Sequence, residues 1–364
     1  MIADNRHPVL ALTVDEIGPS TVTQMVSARL PGVEAAAVSL SDVMWGTATK
    51  VRLLIEWNEA GKAAGLPDRV VLKGGFGEHR ERMAFLYRHE ARFYEQLQSS
   101  LGVNSPRFLA SGHDEAIDHH LVLMEDLDAA GAQFCRVVEP ISEARVREFL
   151  DILARLHAAT WNSPDLSAGG PLADLHEWAA LPLTPMGDYA RGQLEADVWD
   201  RYMKLPRAVA VSRSFHDRAR MRRALERIDA FTKPGPRCLL HGDFHLGNLY
   251  LDAAGRAAVL DWQSYATGHW SHDVTYFIVS ALDMAERRRC DARLLAFYLE
   301  RLAQHGVSRP PTFDEALEAF RIQIADGLFY WMVNPPEWQV EENNCAVAPR
   351  FADAALDHET FDDL

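Results

Sequence analysis

Apolar positions in the first third of the chain recur at two periods, and each predicts a different element. After a leading segment (residues 1–37) with one amphipathic helix over roughly Pro19 to Leu30, the stretch from Val38 to Trp57 alternates. β-Branched Val38, Val43, Thr47, Thr49, Val51 and Ile55 lie along it, and Trp45-Gly46-Thr47 breaks it as a turn would, so it predicts a hairpin. The run Arg69-Val-Val-Leu-Lys73 predicts a short buried strand that ends on a lysine. A helix is expected to open near Glu78, with Met83, Leu86, Tyr87, Tyr94 and Leu97 forming an apolar stripe at helical spacing. Glu90 falls on that stripe. A carboxylate on a buried face is costly unless paired, which predicts an ion pair with Lys73.

Pro106 to Gly112 and Leu121 to Leu127 predict a second strand pair, joined by a turn from His113 to His120 that reads as solvated rather than metal-binding. Beyond it strands give way to helices, which places a boundary near residue 126 and two lobes at 1–125 and 126–364. Ser142 is a plausible cap for a helix to about Thr160, on which His157 reads as a satisfied core histidine. Two or three helices are expected between Asp174 and Phe231. The arginines from Arg213 to Arg227 read as a solvated face. Further helices are expected at Asp273–Arg287, Asp291–His305 and Thr312–Met332, the last opened by a capping box of Thr312 and Glu315.

Length supports the division, since 364 residues exceeds the roughly 250–300 at which one core stops growing. The net charge of −15, with Glu341, Glu342, Asp353, Asp357, Glu359, Asp362 and Asp363 near the end of the chain, disfavours nucleic acid or an anionic membrane as the main partner. Cys135, Cys238, Cys290 and Cys345 are scattered, as reduced thiols of a cytoplasmic protein are. Asp4, Arg6, Asp15 and Glu16 surround the apolar run at the start, and no segment approaches the ~18 uncharged apolar residues of a membrane span.

The candidate chemistry gathers between Arg237 and Ser280, where His241, Asp243, Asn248, Asp261 and Asp273 sit among short apolar runs. Asp243 and Asn248 have the D-x-x-x-x-N spacing of a loop in which an aspartate meets an acceptor hydroxyl and an asparagine coordinates Mg²⁺. Asp261 ends an apolar strand where a second hard oxygen ligand is needed. Two other readings compete: His241 and His245 as zinc ligands, against which Gly242-Asp243-Phe244 makes a poor helix, and a buried polar turn without chemistry. The turn explains each residue singly but not a lysine-ended strand, a buried-face glutamate, the Asp/Asn loop and a strand-ending aspartate together.

The segment His241-Gly-Asp-Phe-His-Leu-Gly-Asn248, followed by Val259-Leu-Asp-Trp-Gln263, resembles the aminoglycoside phosphotransferase and choline kinase family of protein-kinase-like enzymes. Gly65 to Lys73, Glu90 to Tyr94 and Met124 to Leu127 are closer to its ecdysteroid-kinase-like branch. The resemblance implies an α+β, bilobal protein-kinase-like fold, with an antiparallel sheet and one main helix in the N-lobe and a mostly helical C-lobe. It implies an ATP-dependent enzyme with Mg²⁺ as cofactor. Lys73 would hold phosphates with Glu90 orienting it, the backbone of Met124, Glu125, Asp126 and Leu127 would receive the adenine, and Asn248 and Asp261 would hold the metal. Asp243 would be catalytic, with His241 and Asp273 in support.

The sequence departs from protein kinases at the first turn, where backbone amides around Gly46 and the hydroxyls of Thr47 or Thr49 would have to cover the phosphates. Trp262-Gln263 replaces Phe-Gly, which points to a small-molecule hydroxyl acceptor, with Trp270, Trp331 and Trp338 as candidate walls of its pocket. A sterol-like alcohol, another hydroxylated compound or an aminoglycoside-type antibiotic fits this reading, and a catalytically silent ligand-binding protein is the alternative. Oligomeric state is not legible.

Overall fold

The computed structural model describes residues 10–182, 184–336, 338–362 and 364; Asp4, Arg6 and Asp363, named above, lie outside the described residues. Two compact units result, one holding the described residues up to Gln133 together with Leu251–Ser264, the other Phe134–Tyr250 and Tyr265–Leu364. The division falls at Gln133 rather than 125/126, and a segment returns to the first unit. Composition does not register that return because long-range contacts fix it: the Val259 amide donates to the Asn104 carbonyl (2.9 Å), and Trp262 stacks on Phe93 at 3.8 Å.

In the first unit the elements run α1 (Pro19–Ser27), β1 (Ala35–Met44), β2 (Thr49–Trp57), α2 (Glu59–Ala63), β3 (Arg69–Gly74), α3 (Ala84–Arg92), α4 (Gln98–Leu101), β4 (Phe108–Asp114) and β5 (His119–Glu125). The strands form one antiparallel sheet in the order β1-β2-β3-β5-β4. Because side chains alternate across a strand, Val51, Leu53, Ile55 and Trp57 of β2 join Val70, Leu72, Leu121 and Leu123 in one core with Val22, Met25 and Val26 of α1. The opposite face carries the polar row: Lys50 of β2 stands directly opposite Lys73 of β3, and Lys73 opposite Val122 of β5.

Two expectations here are corrected. The helix expected near Glu78 opens at Ala84, because the residues before it are used as turns: His79 Nε2 lies 3.1 and 3.0 Å from the carbonyls of Gly46 and Thr47. The helix continues past Arg92 as a wider π-turn, Phe93–Leu97. The His113–His120 turn is also narrower than expected. His113 pairs with His120 and Asp114 with His119 across the strands, and His119 is buried with Nε2 2.9 Å from the Ala11 carbonyl.

Past β6 (Gln133–Phe134), the second unit follows as α5 (Glu143–Thr160), α6 (Pro185–Gln193), α7 (Ala196–Tyr202), α8 (Pro206–Val209), α9 (Arg218–Thr232), β7 (Cys238–Leu240), β8 (Leu249–Leu251), β9 (Ala257–Val259, which belongs to the first unit), β10 (Ala266–Gly268), α10 (Ser271–Ala281), α11 (Met284–Gln304), α12 (Phe313–Val333) and α13 (Glu341–Asp357). Ser142 caps α5, and Thr312 with Glu315 forms the capping box of α12. The helices expected at Asp273–Arg287 and Asp291–His305 divide differently, because Asp283 accepts the Glu286 amide at 2.9 Å and starts α11 there.

α13 has no counterpart among the sequence expectations. Its acidic residues are not a free tail: Asp353 and Asp357 pair with Arg287, which is fully buried, and with Arg288. No helix among the described residues is long and apolar enough to cross a membrane.

Candidate active site

The first unit places Lys73 at the end of β3 with its side chain 4% exposed, Nζ 2.8 Å from Glu90 Oε1 and 2.9 Å from Asp261 Oδ1. Glu90 comes from α3, whose apolar stripe turns it inward, and Gln263 Nε2 donates to its other oxygen at 3.4 Å. Asp261 follows β9 at φ 65°, left-handed backbone that aspartate tolerates better than most residues. Burial disfavours the charge on Lys73, but Asp261 and Glu90 outweigh it and raise the ammonium above its ordinary value. The lysine is therefore a fixed cation. Glu90→Gln leaves Lys73 its bond to Asp261, so a moderate stability loss of about 1–2 kcal/mol is expected, read from urea melts.

Around this trio the sequence missed two residues. His79 and Tyr87 hold the β1–β2 turn, the Tyr87 hydroxyl donating to the Thr47 carbonyl at 2.6 Å. Burial pushes the Tyr87 phenol up to about 12, so it remains a donor at any working pH. The signal for Tyr87 was its place on the apolar stripe; His79 carried none.

A third missed residue, Lys50, is partly buried beside Lys73. Among the expected hinge residues, Met124 is buried in β5, and the Glu125 and Asp126 amides donate to the Arg107 and Arg69 carbonyls. Asp126 also caps the following turn through the amide of Asp128 (3.0 Å). The Leu127 amide makes no hydrogen bond among the described residues.

In the second unit β7 delivers the chain into His241-Gly242-Asp243, with Gly242 at φ 82°. Asp273, in the first turn of α10, accepts the amides of His241 (2.7 Å) and Gly242 (3.0 Å), and its Oδ2 lies 3.2 Å from His157 Nε2. The His157 Nδ1 is in turn 2.8 Å from the Tyr298 hydroxyl. Burial alone would raise the Asp273 carboxyl; the hydrogen bond and charge of His157 hold it below its usual range. On the other side of the loop His272 bridges the Gly242 carbonyl (3.2 Å) and Asp326 (3.1 Å).

Within this braced turn Asp243 is 41% exposed. Asn248 Nδ2 donates to its carbonyl at 2.9 Å and to Oδ2 at 3.0 Å. His245 Nδ1 accepts the Gly247 amide (3.0 Å), so its proton sits on Nε2, 3.5 Å from Asp243 Oδ2. His241 Nδ1 accepts the Asp243 amide at 3.3 Å. Both histidines thus order the loop.

With its amide nitrogen committed to Asp243, Asn248 has its oxygen left as a hard donor, and the Asp261 carboxylate of the first unit is a hard donor too; each by itself is of the type Mg²⁺ takes. The described grouping with three ligand atoms close together, Glu143, Glu286 and Cys290, is a different matter, since Arg147, Arg293 and Arg289 pair with its carboxylates. Of the three tryptophans, Trp270 is buried and stacked on Tyr298, Trp331 is buried beside Tyr276 and His245, and Trp338 is 37% exposed and stacked on Tyr189 at 4.9 Å.

Residues 78–310 match the family model described as "Phosphotransferase enzyme family". The chain belongs to this family. Glu90, Asp243, Asn248, Asp261 and Asp273 all lie inside the match, whereas Lys50 and Lys73 precede it. Among solved structures, the fold is shared with choline kinase LicA from Streptococcus pneumoniae (TM-score 0.52, 13% identity, 93% of this chain and 98% of that one). It is shared also with macrolide 2'-phosphotransferase type I (0.50, 19%, 90% and 95%) and with a spectinomycin phosphotransferase solved with ADP and spectinomycin (0.50, 10%, 95% and 99%). No curated protein matches the sequence. The chain is accordingly a phosphotransferase-family enzyme with the expected bilobal α+β kinase-like fold.

Proposed function

We propose that this phosphotransferase moves the γ-phosphate of ATP, with Mg²⁺, to a hydroxyl of a small molecule in the cytoplasm. The observation that carries the proposal is the buried lysine held between Glu90 and Asp261, a fixed cation that a turn without chemistry has no reason to contain. Lys73 would neutralise phosphate oxygens, Asn248 and Asp261 would hold the metal, and the Leu127 end of the hinge would receive the adenine. Bound Mg²⁺ supplies charge neutralisation for the phosphoryl group in flight.

Asp243 would orient the acceptor hydroxyl and take its proton at Oδ, with His245 and Asn248 fixing the carboxylate. Phosphoryl transfer passes through a loose transition state, so this positioning matters more than basicity, and an ordinary carboxylate suffices. The acceptor is a hydroxylated compound, sterol-like or of the aminoglycoside type, and Trp338, the partly exposed one of the three tryptophans, would be the one to wall its pocket.

Calorimetric titration of ATP with and without Mg²⁺, beside Asp261→Ala, tests the reading. Wild-type binding should depend on Mg²⁺, and the variant should lose that dependence. A dependence that survives in the variant places the metal elsewhere, and a wild type that binds no ATP returns the chain to the ligand-binding alternative.

A further inference from the structure

The polar face of the first unit's sheet carries one more cation than its ion pairs account for. Arg52 lies 3.7 Å from Asp126 and pairs also with Asp128. Lys73 takes both Glu90 and Asp261. Lys50, directly opposite Lys73 in the β2–β3 register, makes no hydrogen bond or ion pair among the described residues.

Side chains directly opposite one another in an antiparallel pair stand about 5 Å apart at Cβ, and like charges there are destabilising. Partial burial of the second ammonium adds to that cost. The two carboxylates on hand are within bonding distance of Lys73, and their combined charge leaves the four-residue group neutral with Lys50 at its unsatisfied end. Lys50 also follows closely on the Gly46-Thr47 turn, whose carbonyls are drawn away by His79 and Tyr87. A compact ammonium with three donors suits phosphate oxygens.

We propose that Lys50 is a second phosphate-binding residue, gripping the β- and γ-phosphates of the nucleotide beside Lys73. The proposal rests on the ATP-dependent reading given above. A merely structural Lys50, balancing Glu90 and Asp261 from a distance, forecasts the opposite sign for the stability of the nucleotide-free protein, because its removal would then leave excess negative charge. A phosphate-binding Lys50 costs the empty protein stability, and its removal relieves that cost.

The test is calorimetric titration of ATP, ADP, AMP and adenosine, with Mg²⁺, into the full chain as wild type, Lys50→Gln and Lys50→Arg, with melting curves of each without nucleotide. Lys50→Gln should lose about ten- to hundredfold in affinity for ATP and ADP, the worth of a charge-assisted contact. AMP and adenosine should bind it as they bind the wild type, its melting temperature should be unchanged or raised, and Lys50→Arg should recover part of the ATP affinity. A loss equal across the four ligands, no loss at all, or a lowered melting temperature with the ATP-to-AMP ratio unchanged overturns the assignment while wild-type ATP binding leaves the kinase reading standing. Failure of the wild type to bind ATP overturns both.

Discussion

Asp243→Asn is expected to lower kcat by about two to four orders of magnitude, the span a positioned proton acceptor usually contributes, with ATP affinity close to that of the wild type. Asparagine keeps the shape of the side chain and one oxygen. It can still accept from Asn248 Nδ2, which lies 3.0 Å from Asp243 Oδ2, so the loop should keep its form. What is lost is the ability to take a proton and the negative charge that draws an acceptor hydroxyl. Lys73 and its two carboxylate partners belong to the first unit and are untouched. A coupled ADP-release assay beside an ATP titration separates the two effects, and turnover at the wild-type rate would remove Asp243 from the chemistry. His245 sharpens the point: its Nε2 faces the same Oδ2, so the one oxygen that asparagine keeps can serve both neighbours and the loss falls on charge and basicity.

How much of this was legible depends on the range of the interactions involved. The Lys73–Glu90 pair was readable because both partners announce themselves locally, one by ending an apolar strand and the other by interrupting an apolar stripe. The capping of α5 and α12 was readable for the same reason, since a cap and its amide lie three residues apart. The return of Leu251–Ser264 to the first unit was not, because it depends on contacts with Asn104 and Phe93 far away along the chain.

Lys50 was hidden by its own strand. In a half-buried hairpin a lysine at an alternating polar position is indistinguishable from a solvated one until the register sets it opposite Lys73. α13 failed for another reason. Its buried face is built largely from small residues, Ala348, Ala352, Ala354 and Ala355 around Val347 and Phe351, and Pro349 interrupts it, so the apolar period is weak while the acidic positions stand out. Those acids are spent on Arg287 and Arg288, a pairing visible only in three dimensions.

Asp273→Ala should produce the largest loss of stability, about 3–5 kcal/mol, the cost of removing one partner from a buried charged network. The carboxylate accepts two backbone amides and faces His157 with no exposure to water, so truncation leaves the amides of His241 and Gly242 and a histidine nitrogen buried without their acceptor. Such groups cannot turn to solvent, and each carries its own desolvation penalty. Asp273→Asn retains an oxygen for one of the amides and should lose less. The pH dependence gives an independent readout. Because His157 holds the folded-state carboxyl below its usual range, its contribution is fully present above the unfolded value of about 3.9 and is lost as pH falls through the lower folded value. Urea melts at neutral pH should therefore separate wild type and Asp273→Ala widely, and melts in acid below both values should bring them together. Equal midpoints at neutral pH would show that the loop is held by the His272 side alone, through its contact with the Gly242 carbonyl. Since Asp243 follows Gly242 directly, loosening this brace should also lower kcat in whatever fraction of the variant remains folded.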